Sequence, residues 1–244
     1  MLGGKIEGAG QRVVLYGAGG IGKSELCSLA PKPIFLDIDD GTHELDVQRI
    51  EGIQTFADLR AVLQSNALDP YQTIILDNAT RAEELGVTHT LATVRGEKGQ
   101  TCRSVEDYGF GKGYQHVYET FLLLLADLDS QVRRGRHVVL IAHECTDAVP
   151  NPVGEDYIRF APQLQAPKSG KASIRNRVVQ WADHVLFLAY DVIAEGGKGR
   201  GSGTRTIYPR ELPSHLAKSR ILADPVAYPK GDGSVWSKIL GGAK

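Results

Sequence analysis

Short apolar runs alternate with amphipathic stretches along most of this chain. Val13-Val14-Leu15-Tyr16 is the first run, and residues 25–30 after it read as a helix. Pro31 and Pro33 break that helix, and residues 34–38 then read as a short buried strand. Over residues 55–66, Phe56, Leu59, Val62 and Leu63 fall on one helical face. Residues 71–77 form another strand, ending in Asp77. Residues 117–132 are strongly helical, with Phe121, Leu124, Leu125 and Leu128 among the apolar positions. Residues 137–143 and 183–189 add two more buried strands. Alternation of this kind predicts an α/β fold, with a mainly parallel central sheet covered by helices on both faces. There is no internal repeat and no clean boundary, so a single domain over residues 1–244 is expected. The glycine-rich stretch 196–203 lies between two strand-like segments and reads as a flexible hairpin tip.

The junction between the first strand and its helix carries the most specific signal. Residues 17–24 read Gly-Ala-Gly-Gly-Ile-Gly-Lys-Ser, a complete phosphate-binding P-loop. Its glycines let backbone N–H groups turn inward toward phosphate oxygens, and the following helix N-terminus favours negative charge. A chance glycine turn would not come with this strand before it and this helix after it. Gly17, Ala18, Gly19, Gly20, Ile21, Gly22, Lys23, Ser24 and Glu25 are therefore the expected nucleotide-binding residues. Lys23 would reach the β- and γ-phosphates of ATP, and Ser24 would sit on Mg²⁺.

Ligands of open parallel sheets bind beyond the carboxyl ends of the strands, so polar strand ends matter. Asp77 closes Thr73-Ile74-Ile75-Leu76, the form of a Walker B strand, and is the expected second Mg²⁺ ligand. Asp37, Asp39 and Asp40 close the preceding strand, where a carboxylate could deprotonate or orient water. Strand alternation puts Asp37 and Asp39 on the same side and does not choose between them. His143 ends the strand 137–143, where a polar side chain could sense the γ-phosphate.

Bulk properties narrow the setting. Apolar residues make up 42% and charged residues 23%, ordinary for a globular protein, and no apolar run approaches the length of a membrane span. Net charge is −1, so any nucleic-acid site must be a local patch. Cys27, Cys102 and Cys145 are widely spaced, which argues against disulfides or structural zinc. The N-terminus lacks the apolar core of a signal peptide. A cytoplasmic protein with no membrane partner is expected. One local patch stands out: residues 157–177 contain no acid but five bases, Arg159, Lys168, Lys171, Arg175 and Arg177, interleaved with Tyr157 and Phe160. Pro162, Pro167 and Gly170 make it read as a loop for most of its length. A basic, partly aromatic loop suits single-stranded nucleic acid, which offers both phosphates and stackable bases. Lys218 and Arg220, two apart on an extended segment, share a face.

In this order, the parts resemble the RecA-like core ATPases, and more narrowly the phage-encoded nucleotide-binding ATPases that include Sak-type single-strand annealing recombinases. The resemblance spans residues 12 to 222 or so, most of the chain. It is carried by residues 16–24, 34–41, 74–77, 138–144 and 217–220. It implies that Asp39 is the catalytic acid, one methylene shorter than the Glu common there, and hence that turnover is weak. It implies that His143 links the nucleotide to DNA bound by the loop 144–177. It further implies that Lys218 and Arg220 act on a neighbouring subunit's nucleotide, in a ring or filament with ATP sites between subunits. Single-stranded DNA is then the implied partner, with a single-strand binding protein as a further one, and annealing or recombination the implied role. Two other functions fit a P-loop: a replication or packaging motor or loader, and a small-molecule kinase using Arg133, Arg134 and Arg136. A nucleotide-dependent switch without turnover is a further reading.

Overall fold

A computed structural model describes residues 9–168, 171–195 and 198–240. The first strand, β1 (Arg12–Gly17), has every side chain after Arg12 buried, as an interior strand of a sheet requires. Then follow α1 (Lys23–Ser28), β2 (Pro33–Asp37), β3 (Arg49–Ile50), α2 (Phe56–Gln64), β4 (Thr73–Asp77) and α3 (Ala79–Thr93). A 3-10 turn (Val105–Tyr108) leads into the long α4 (Lys112–Arg133) and then β5 (His137–Ala142). The second half holds β6 (Glu144–Val149), β7 (Tyr157–Pro162), α5 (Ile174–Trp181), β8 (His184–Glu195), β9 (Lys198–Tyr208), β10 (Lys218–Ser219), β11 (Val226–Ala227) and α6 (Ser234–Ile239).

Among the described residues, nine strands form one sheet in the order β11-β9-β8-β1-β5-β4-β2-β3, with β10 pairing to β8. The six strands from β8 to β3 are mutually parallel. The mainly parallel α/β sheet expected from the alternation is therefore present. One face is covered by α2, α3, α4 and α5, whose Phe56, Leu59, Phe121, Leu124 and Val178 pack on Val14, Tyr16 and Leu140. The other is covered by α1 and α6, with Leu26, Trp236 and Ile239 against Val13, Leu15 and Val139. The Trp236 indole donates to the Leu26 carbonyl at 2.7 Å, tying α6 to the helix that follows the P-loop.

The structure corrects one reading. Residues 144–177 are not one continuous loop: β6 and β7 pair as an antiparallel hairpin, and α5 begins at Ile174. Thr146, Ala148, Ile158 and Phe160 share the exposed face of this hairpin while Asp147 and Arg159 lie on the other, so the usual apolar-inward alternation is absent. The glycine-rich stretch lies in the β8–β9 hairpin, whose pairing runs to Glu195↔Lys198; its Gly196 and Gly197 lie outside the described residues. No helix among the described residues is long and apolar enough to cross a membrane.

Candidate nucleotide site

Parallel pairing brings the ends of β1, β2, β4 and β5 to one edge of the sheet, where a cleft of about 680 Å³ opens above them. That volume is in the range that holds a nucleotide-sized ligand. The P-loop forms one wall. Gly20 and Gly22 have φ of 73° and 101°, which only glycine adopts without strain. At Gly22 a Cβ would also collide with the Arg205 guanidinium. Lys23 is buried and its ammonium donates to the Gly17 and Ala18 carbonyls, 2.8 Å each. Burial lowers its pKa, and Asp77 and Glu144 oppose that shift.

Asp77 and Ser24 meet on the floor. The Ser24 hydroxyl donates to Asp77 Oδ2 at 2.5 Å. Burial pushes the Asp77 carboxyl up, while Ser24 and Lys23 pull it down. A hydroxyl and a carboxylate, side by side and short of ligands, fit Mg²⁺, which takes one or two protein oxygens and completes its octahedron with phosphate and water.

Opposite the P-loop, three side chains converge. Asn78 Nδ2 donates to Asp39 Oδ2 at 2.7 Å and lies 3.3 Å from His143 Nε2. His143 Nε2 is itself 3.9 Å from Asp39 Oδ2. The other end of the Asn78 amide accepts the Arg81 N–H at 2.8 Å and so caps α3. That cap fixes which way the amide faces. Asp39 and His143 are each about half exposed, so both can meet a ligand in the cleft. Asp37, the alternative acid, is buried and accepts from Gly41 N–H, Thr42 N–H and the Thr42 hydroxyl. It closes a turn, and of the two acids only Asp39 lines the cleft.

Sequence reasoning missed Asn78, although an Asn directly after a strand-end acid and before a helix is a capping signal. It also missed Arg205. That side chain crosses from β9, donates to the Ile21 carbonyl at 3.0 Å, approaches Glu25 at 3.5 Å and stacks on Tyr228 at 4.3 Å. The hairpin position of Arg205 carries no local signal for this reach.

The expected basic residues divide. Arg159 is paired with Glu211, and Arg175 is buried and lies 2.8 Å from Asp147. Both arginines are thus screened by acids from other segments, and the patch is less basic than residues 157–177 read alone. Lys168, Lys171 and Arg177 are exposed. Lys171 shares a surface recess with Lys112 and the fully exposed Phe110.

Lys218 and Arg220 lie outside the cleft. Lys218 pairs with Val185 while Gly17 pairs with Leu188, about 10 Å further along β8. Arg220 is exposed and 3.2 Å from Asp183, beside the start of β1. Arg133, Arg134 and Arg136 sit between α4 and the start of β5, at the sheet edge away from the P-loop. Arg136 is held by Asp69 at 2.6 Å. These three arginines are therefore not placed to close on a substrate in this cleft.

A profile of the AAA domain family (AAA_24) matches residues 9–221. The chain belongs to the AAA domain family. This AAA domain is also similar to the SPbeta prophage-derived uncharacterized protein YorG of Bacillus subtilis (strain 168). Identity is 24% over 217 residues, covering 86% of this chain and 59% of that one. The chain thus spans little more than half the length of that relative. Among solved structures it is similar to the KaiC-like protein PH0186 of Pyrococcus horikoshii OT3, with TM-score 0.45 and 13% identity over 91% of this chain and 90% of that one. The flagellar accessory protein FlaH of Methanocaldococcus jannaschii gives 0.38 and 11%, over 82% and 77%.

Proposed function

We propose that this AAA domain binds ATP with Mg²⁺, hydrolyses it, and oligomerises on single-stranded DNA to promote annealing or recombination. The observation that carries the reading is the position of His143. It faces Asp39 and Asn78 in the nucleotide cleft, and the next residue, Glu144, begins the β6–β7 hairpin. One residue therefore joins the chemistry to the segment that carries Tyr157, Arg159 and Phe160.

In this scheme Asp39 accepts a proton from the attacking water, held in place by Asn78. Lys23 leaves the loop carbonyls and offsets charge on the transferring phosphoryl group. Bound between Ser24 and Asp77, Mg²⁺ would supply further charge neutralisation at the phosphates. Lys218 and Arg220, displaced from their own chain's cleft, serve a neighbouring subunit. Lys168, Lys171 and Arg177 meet the strand's phosphates, and the exposed Phe110 offers a stacking surface. Similarity to a prophage-derived protein supports a phage role.

The test is ATP turnover with and without single-stranded DNA, with oligomer size measured in the same samples. The reading expects weak basal turnover, stimulation by the strand and a larger species in its presence. A monomer whose turnover ignores the strand would overturn it, and directional translocation on duplex DNA would favour the motor reading instead.

A further inference from the structure

A second cleft, of about 620 Å³, lies on the other side of the P-loop. Ala18 and Ile21 face it, whereas Gly19, Gly20, Lys23 and Ser24 face the phosphate cleft, so the P-loop is a wall common to both. The back of this second cleft is a pile of rings. Phe187 stacks on Phe160 at 5.4 Å and 20°, and on His215 at 5.0 Å and 29°, with Tyr208 4.9 Å from His215. Phe160, Tyr190 and Leu212 form a lip, 39%, 47% and 50% exposed. His215 has both ring nitrogens engaged, one with the Ser214 hydroxyl at 3.0 Å and the other with the Arg210 carbonyl at 3.1 Å. His215 and Phe187 are buried within the pile, which leaves Phe160 as its exposed end. One carboxylate, Glu144, lines the floor next to the P-loop.

We infer that this cleft takes one unstacked base of a nucleic-acid strand, a step that rests on the strand-binding reading above. A flat aromatic ring extends the Phe160–Phe187–His215 pile and covers the exposed lip. Glu144 accepts a hydrogen bond from the base's N–H groups. The strand, rather than the nucleotide, is the source because the lip is built from the hairpin and its neighbours. Phe160 is on β7, and the exposed Arg210, two residues before Leu212, supplies a cation near the mouth where phosphodiesters would run; Arg159, on the other face of β7, is held by Glu211. A base seated here lies against the partly exposed Ala18, with Ile21 buried behind it, which couples strand occupancy to the loop that holds phosphate.

The experiment uses the full chain, wild type and two variants at exposed lip positions, Leu212→Glu and Phe160→Leu. Strand affinity is measured with an oligothymidylate and with an abasic strand of the same length; ATP affinity is measured alongside. The expected result is a roughly tenfold loss for oligothymidylate in each variant. The abasic strand should bind wild type and variants alike, and ATP affinity should be unchanged. A single 2-aminopurine in the strand should be quenched by wild type and not by the variants. Equal binding of oligothymidylate by all three proteins overturns the inference, as does an equal loss for the abasic strand. A loss confined to ATP assigns the cleft to the nucleotide's own base and also overturns it. Failure of wild type to bind any strand is a separate outcome that overturns the proposed function and the inference together.

Discussion

Glu83 permits a worked stability prediction. It lies on α3, its Oε2 accepts the Gln165 N–H at 2.7 Å, and Gln165 in turn donates to the Tyr114 and Ala172 carbonyls. Through these bonds the segment after β7 is held against α3 and α4. Burial pushes the Glu83 carboxyl up to about 7; Gln165 and Arg175 pull it down, and Glu84 adds to the rise. The folded state then binds this proton more tightly than the unfolded state does. Stability from this group is fully present below about pH 4.5 and is lost as pH rises through about 7. A shift of this size corresponds to about 3 kcal/mol, and partial exposure reduces it to about 2 kcal/mol. Glu83→Gln keeps an acceptor for Gln165 and removes the buried charge. Near pH 8 the variant should therefore be more stable by about 2 kcal/mol, a rise in Tm of about 4–8 °C. Near pH 4 the two proteins should match to within about 0.5 kcal/mol. Urea denaturation across that pH range measures the difference. A gap independent of pH, or a variant less stable at pH of about 8, would refute the reasoning and show that Arg175 holds the carboxylate ionised.

Other expectations concern the nucleotide cleft and the strand surface. Asp39→Asn should lower kcat by about 100-fold or more while ATP affinity stays within a factor of about three, as read by turnover and equilibrium binding. Unchanged turnover would move the base elsewhere. Asn78→Ala removes both a helix cap and the Asp39 partner, so it should cost about 1 kcal/mol of stability by denaturant titration and also slow turnover. Asn78→Asp, which retains the cap but not the donor, should recover the stability alone. Glu211→Gln releases Arg159 and should tighten strand binding a few-fold at low salt, with a steeper salt dependence. No change in the salt slope would mean that Arg159 does not meet phosphates.

Local features were legible in the sequence wherever local chemistry determines them. The P-loop, the Asp77 strand end and the helix over α4 each depend on neighbours within a few residues. Ser24 and Asp77 are 53 positions apart, yet the two motif forms that name them meet in the fold. What escaped depends on distant partners. Whether Arg159 and Arg175 are free is decided by Glu211 and Asp147, acids contributed by other segments. Which of Asp37 and Asp39 is open to the cleft depends on Thr42 and Asn78, one engaging each acid. α3 went unassigned because its alanines, threonines and single glycine give only a weak apolar stripe; its Asn78 cap shows where it begins.

The tie between Trp236 and the Leu26 carbonyl has a practical consequence for anyone trimming this protein. The family match ends at residue 221, which makes that position a tempting place to cut. A fragment cut there would lose α6 and expose Leu26 and the underside of the helix that presents Lys23 and Ser24. It would also lose Tyr228, the ring on which Arg205 rests while bracing the Ile21 carbonyl. Domain boundaries drawn from family resemblance would thus sever the P-loop from its foundation, and residues 222–240 should be kept in any shortened form.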